Sequence, residues 1–151
     1  MSAQRQIVKA MAVVERPRDG ALLVSEHTGD RAFHRPLGGH VEFGEHALAA
    51  IHREFREETG QRLCDVRLLG VLENIFDWRG EMQHEIVFLF RASFVDPAAY
   101  EVIEQVILDE PDGGNRVIWR PRGATSPPLY PAGVADLIGT PSDLSNSPAA
   151  Q

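Results

Sequence analysis

The chain has 151 residues, 43% of them hydrophobic and 25% charged, the balance of one soluble globular domain with a sizeable core. A formal net charge of -7 argues against nonspecific binding to nucleic acid, which relies on basic surface, so an anionic small molecule would be met by metal and local arginines. No apolar run is long enough to span a bilayer, Met1 to Ala10 has no signal-peptide core before its first charges, and the expected location is cytoplasmic.

In chain order, Ile7 to Val14 is an apolar, β-rich run, Asp19-Gly20 signals a turn, and Ala21 to Ser25 resumes as a partner strand, together a hairpin. A short strand is expected at Ala32 to Arg35. Gly38 and Gly39 then permit a tight turn that brings backbone close to a ligand, which a Cβ would obstruct. From His46 to Thr59 there is no Gly or Pro, Ala, Leu, Glu and Arg dominate, and Gly60 stands where a helix ends in the left-handed conformation. Cys64, the single cysteine, excludes an intrachain disulfide, fits a reducing compartment and reads as a small buried residue. Val66 to Phe76 and Ile86 to Phe94 form a second extended pair across Arg79-Gly80; Ile86 to Phe90, apolar throughout, marks a central strand buried on both faces.

Asp96-Pro97 suits an N-cap and first turn of a short helix through Ile107, with an extended Tyr100 to Ile107 as the alternative. Val117 to Arg120 is a late strand, Pro131 to Ile138 a final helix stopped by Gly139, and residues 141–151 a polar, mobile tail. One domain over residues 1–140 follows, of α/β class: a mixed sheet packed between helices.

Stepping about 100° per residue along the central helix, Glu54, Glu57 and Glu58 share one arc with Ala47, Ala50 and Ile51, Leu48 and Phe55 lie at its edge, and His52, Arg56 and Thr59 face water. An ionised carboxylate turned toward a core must be paired or bound to metal. Helix ion pairs such as Arg53 with Glu57 at i,i+4 are the plainer account, but Arg53 and Arg56 are two cations against several acids. A dication relieves that repulsion, and hard oxygen ligands select magnesium, manganese or calcium over zinc. Glu45, just before the helix, suits its positive end. Glu42 in the same loop is less constrained. His40, His46 and His52 recur every six residues without forming a zinc pattern.

These residues resemble the Nudix hydrolases, MutT-like proteins whose box is Gly, five residues, Glu, seven residues, Arg-Glu, an apolar residue, any residue, Glu-Glu, any residue, Gly, apolar. Here the positions are Gly39, Glu45, Arg53, Glu54, Phe55, Glu57, Glu58 and Gly60, with all seven fixed identities matched. Gln61 departs from the apolar position, with Leu63 as a substitute, and Leu37 replaces a proline often found before the two glycines. The resemblance implies an α/β/α sandwich and hydrolysis of a diphosphate linkage in a nucleoside diphosphate joined to another group, with water attacking phosphorus. It implies magnesium, with manganese as an alternative, held by Glu54, Glu57 and Glu58, with Glu54 also taking the water's proton and the Gly38 carbonyl completing the shell. Arg53 would orient the glutamates, and Glu45 would support the loop or bind an additional metal.

A ligand from outside the box is sought in Glu85, beside His84, with Glu104 and Glu110 behind it; a paired acid at a strand end is the alternative for Glu85. Gly39, Arg35 and Trp78 are the substrate-binding candidates, Arg35 toward phosphate and Trp78 as a stacking platform for a base, with Phe76 more suited to core packing. The expected partner is a small nucleotide, a nucleoside triphosphate or nucleoside diphosphate derivative, with no membrane or nucleic acid, and a homodimer is left open. The alternatives are a noncatalytic nucleotide sensor, which has no need of an intact glutamate set; an isopentenyl diphosphate isomerase, which would need a catalytic cysteine; and RNA decapping, which the acidic charge disfavours.

Overall fold

A computed structural model describes residues 4–101, 104–106 and 116–139. Its elements are β1 (Ile7–Val14), β2 (Leu22–His27), β3 (Phe33–His40), α1 (Ala47–Thr59), β4 (Leu63–Trp78), β5 (Glu81–Phe94), a 3-10 turn (Pro97–Glu101), β6 (Glu104–Val106), β7 (Arg116–Arg120) and α2 (Val134–Ile138). Seven strands run in the order β4-β5-β1-β3-β2-β7-β6. The β1–β5 pair is parallel and the others antiparallel, so the sheet is mixed.

Side-chain alternation on β1 builds the two layers. Ala10, Ala12 and Val14 face α1, where Ala50, Ile51 and Phe55 are fully buried beside Phe90. The small alanines let the helix lie close to the strand. Met11 and Val13 face the opposite side and pack with Val87, Leu89, Val134 and Ile138 beneath α2. Truncating Phe55, which has no exposed surface, is expected to cost about 3–5 kcal/mol of unfolding free energy, read from urea denaturation.

Helix α1 begins one residue later than expected, with His46 as its N-cap, and ends at Gly60 in the left-handed conformation (φ 72°), whose N–H donates to the Arg56 carbonyl at 2.9 Å. Leu63 is 6% exposed and joins the core under α1, the place left by Gln61. Other expectations are corrected. β1 and β2 are not paired as a hairpin: β3 lies between them, and the bridge Glu15↔Leu22 marks their closest pairing. The turn at Arg16 to Gly20 was legible, whereas strand partnership depends on residues far along the chain. Gly38 and Gly39 lie within β3, opposite Met11 and Ala10, so they serve close packing rather than a turn. The helix expected through Ile107 is a single 3-10 turn followed by β6; Ile107 and the tail at 141–151 lie outside the described residues. α2 starts at Val134 rather than Pro131. None of the described helices is long and apolar enough to cross a membrane.

Candidate active site

The site forms where the end of β3, the loop at Val41 to His46 and the middle of α1 converge. Arg53 is its hub. Its Nε and Nη2 donate to Glu45 Oε2 at 2.8 Å and Oε1 at 2.9 Å, a bidentate fork, while Nη1 donates to Glu54 Oε1 at 3.0 Å and Glu57 Oε2 at 3.3 Å. Nη2 also donates to the His40 carbonyl at 2.9 Å, which ties the helix to the end of β3. Glu45 is anchored from the other side by the Glu42 N–H at 3.1 Å, so its carboxylate closes the loop instead of capping the helix.

Glu54 occupies the interior of this cluster, with its side chain 14% exposed. A Cβ placed on Gly39 would fall 2.5 Å from the Glu54 carboxyl carbon and 2.6 Å from both oxygens, so the glycine is the cradle of that carboxylate. Burial raises the Glu54 pKa, against the lowering pull of Arg53. Glu45 goes the other way: its hydrogen bonds from Arg53 and then from the Glu42 N–H lower its pKa to about 2. The signs differ accordingly. The Glu45 contact stabilises the fold above the ordinary carboxylate value and is lost as pH falls through about 2. The ionised Glu54 is disfavoured by burial, and that penalty is relieved as pH falls through its raised pKa. Carboxyl NMR titration of the metal-free protein should place Glu54 above and Glu45 below the ordinary value.

The three helix glutamates are not equivalent. Glu58 is half-buried with Oε2 inside, but the Glu57 side chain is 52% exposed, which corrects the expectation that all three turn inward. Measured from Glu54, Glu57 stands about 60° round on the side away from Ile51 and Phe55, just past buried Ala50. Leu48 is exposed, while His52 and Thr59 are half-buried.

Glu85 is the main correction. It is 6% exposed and lies 2.7 Å from Lys9 Nζ. Two and four residues on, Val87 and Leu89 pack beneath α2, so Glu85 points to the face opposite α1. The paired strand acid is therefore the reading its position carries, and it does not join the carboxylates of α1. Lys9 was missed; a lone lysine in the otherwise apolar run Ile7–Val14 is the available signal. His84 is 3.0 Å from Glu73, the side chain of Glu104 is not described, and Glu110 lies outside the described residues. Cys64 is half-buried on β4 beside Ser93. Arg35 is half-buried on β3 with no side-chain hydrogen bond or ion pair among the described residues. Trp78 ends β4, 41% exposed, its ring edge-on to Phe33 at 6.2 Å, while Phe76 is half-buried.

A cleft of ≈ 580 Å³ opens beside the hub, lined by Gln4 to Val8, His40, Val41, Phe43 and Glu81 to Gln83. Phe43 projects fully into solvent at its rim. Among the described residues no three acidic, histidine or cysteine side chains already converge on one point as metal ligands, because Glu45, Glu54 and Glu57 are gathered on the Arg53 guanidinium. The donor set nevertheless fits a hard dication. Glu54, Glu57 and Glu58 supply only oxygen at i,i+3 and i,i+4, and the Gly39 cradle leaves room beside Glu54 that a side chain would fill.

Similarity to known proteins agrees with this architecture. The curated relatives matched include the m7GpppN-mRNA hydrolase NUDT17 of Xenopus laevis, 54% identical over 43 residues, which are 27% of this chain and 14% of that protein. An RNA pyrophosphohydrolase of Halorhodospira halophila is 39% identical over 61 residues, 40% of this chain and 33% of its own length. The matches thus span a third or less of these relatives. Among solved structures, the MutT NUDIX hydrolase from Burkholderia pseudomallei superposes with a TM-score of 0.63 at 25% identity, covering 84% of this chain and 92% of that one. A NUDIX hydrolase from Nitrosomonas europaea gives 0.54 at 24% identity over 78% and 73%, a likeness of fold. The model of the NUDIX domain matches residues 5–121, and the chain belongs to that family.

Proposed function

We propose that the protein is a magnesium-dependent hydrolase that cleaves a diphosphate linkage in a nucleoside triphosphate or nucleoside diphosphate derivative. One observation carries the reading: a buried carboxylate, Glu54, seated against Gly39 and held by an arginine that also grips Glu45 and the end of β3. Such a group is aimed by its surroundings and kept in a poorly hydrated pocket, where electrostatic effects are strong. Glu54, Glu57 and Glu58 would hold the metal, which supplies charge neutralisation on the attacking and leaving oxygens when bound. Glu54, seated against Gly39 and held by Arg53, accepts the proton of the attacking water. Arg53 and Glu45 fix the glutamates without touching substrate. Arg35 meets phosphate, and Trp78 offers a face to the base.

The names of the two curated relatives support hydrolysis, one acting on m7GpppN-mRNA and the other an RNA pyrophosphohydrolase. The net charge of -7 favours a small nucleotide over RNA for this chain. The test is a magnesium-dependent screen of nucleoside triphosphates, nucleotide sugars, dinucleotides, capped RNA and 5′-triphosphorylated RNA. Release of phosphate products from a small nucleotide, abolished by EDTA and restored by magnesium, is expected. Turnover of the RNAs alone would replace the substrate class. No turnover of any compound, with tight metal-independent binding of one, would make the protein a sensor.

A further inference from the structure

β4 is the edge of the sheet, and among the described residues no strand pairs with its outer side. A strand edge presents backbone N–H and C=O groups with which another chain can pair, and proteins guard such edges with lysine, proline or a bulge. The first half of β4 is guarded: its register against β5 shifts between Cys64 and Arg67 and again between Leu68 and Gly70. From Gly70 to Trp78 the ladder is regular and holds neither lysine nor proline. Val71 and Ile75 stand 51% and 57% exposed on this stretch. Val71 lies opposite Phe88, which packs on the core beneath α1, so both side chains are on the α1 face of the sheet. The pairing of β1 with β5 begins at Ile7↔Glu85, so the hairpin end at 75–84 is a two-stranded ribbon, an arrangement that is marginal by itself.

The charges of the edge decide what can pair with it. Val71, Glu73, Ile75 and Asp77 alternate apolar and acidic on one face, and Leu72, Asn74 and Phe76 lie on the other. In a second copy running antiparallel about Asn74, Val71 meets the partner's Asp77 and Ile75 meets the partner's Glu73, so no acid is directly opposite another. On the other face Leu72 meets the partner's Phe76, and Asn74 meets the partner's Asn74, each amide offering a donor and an acceptor. Moving the axis by one residue fails. Centred on Glu73 the pairing sets that acid against the partner's Glu73, and centred on Ile75 it sets Glu73 against the partner's Asp77. Larger shifts shorten the paired stretch or draw in the bulge at Leu68 to Gly70. The helices leave room for this register. Leu137 of α2 covers Gly70, about 13 Å along the strand from the axis, so the two copies of α2 stand on opposite sides of it. α1 lies over β1 and β3, farther from the edge.

We infer that two copies of this chain associate through β4, paired antiparallel about Asn74, so that one sheet runs through a two-fold axis. The contact adds strands to the ribbon at the hairpin end, from which Glu81 to Gln83 line the cleft beside the carboxylates. It does not depend on which phosphate compound is cleaved. One strand edge is a smaller contact than the roughly 800 Å² per partner of a standard complex, so the dimer is a reversible one with a Kd on the order of 10 μM.

Sedimentation velocity between about 1 and 500 μM should follow the wild-type chain from monomer to dimer. The register is tested by the sign of an added charge. Ile75→Lys would meet the partner's Glu73 and Val71→Lys the partner's Asp77, whereas Ile75→Asp and Val71→Asp would meet like charge. Both positions are exposed, so all four variants should fold. Each lysine variant should dimerise at least about tenfold more tightly than its aspartate counterpart, because two such pairs form across the axis. The difference should shrink at about 0.5 M NaCl. Leu48, exposed on α1, controls for net charge: Leu48→Lys and Leu48→Asp should dimerise alike. A monomer at every concentration would overturn the inference, as would open-ended association beyond a dimer. So would a dimer indifferent to the sign of charge at 71 and 75, or a Leu48 pair that differs as much as the edge pairs.

Discussion

Glu54→Gln is expected to lower kcat by about three orders of magnitude while leaving the fold intact, within the range for loss of a general base. The amide has the shape of the carboxylate and keeps an oxygen for Arg53 Nη1, which Glu54 Oε1 accepts at 3.0 Å. What disappears is the charge that draws metal and takes the water's proton. Because burial disfavours the ionised carboxylate, thermal stability of the metal-free variant should equal or slightly exceed that of wild type at neutral pH. Steady-state kinetics, magnesium titration and a melting curve on one preparation separate these effects. Glu58→Gln should also cost orders of magnitude. Near-normal turnover in both variants would remove the roles proposed for them.

Gly39→Ala should reduce kcat/KM about 100-fold with little loss of stability. The added methyl would lie within 2.5–2.6 Å of three atoms of the Glu54 carboxylate, which is too close, so the carboxylate must move by about an ångström. The end of a flexible side chain yields cheaply, and the fold survives; the alignment of the catalytic group does not. Gly44→Ala is the control. Gly44 has φ 81° and open space around it, so an alanine there brings backbone strain without a clash at the site. Circular dichroism melts and kinetics should separate the two variants, stability falling for Gly44→Ala and activity for Gly39→Ala. Adding Glu54→Gln to Gly39→Ala should bring almost no further loss beyond Glu54→Gln alone, since both act through one carboxylate. Full additivity would mean that Gly39 acts elsewhere.

The contrast between Glu54 and Glu85 shows how far a sequence reaches. Residues spaced 3 and 4 apart on a helix share a face whatever the rest of the molecule does, so the grouping of Glu54, Glu57 and Glu58 was legible. The boundary of the buried arc was not, because it depends on where β1 and β3 pass beneath α1, and Glu57 falls outside it. Glu85 was a candidate by residue type and strand position. Its partner Lys9 lies on β1, and only the parallel β1–β5 register, Ile7 against Glu85, sets the two side chains on one face. The two glycines were similarly half-legible: their need for space was in the sequence, but the atoms facing Gly39 belong to a helix residue fifteen positions on, and those facing Gly38 to the β1 backbone at Ala10 and Met11.

The sequence by itself determined what is local: helix α1 and its Gly60 stop, the inventory of acids and Arg53 at fixed spacing, and the resemblance to a family on seven matched positions. Tertiary structure alone decided which strands are neighbours, which sheet face Glu85 takes, that Glu45 and the His40 carbonyl meet at Arg53, and that the Phe33 ring meets those of Trp78 and Tyr130. The physical reason is range. Backbone geometry repeats every few residues and writes its periodicity into the chain, whereas sheet pairing and side-chain encounters depend on loop closures and twists for which no single segment carries the code.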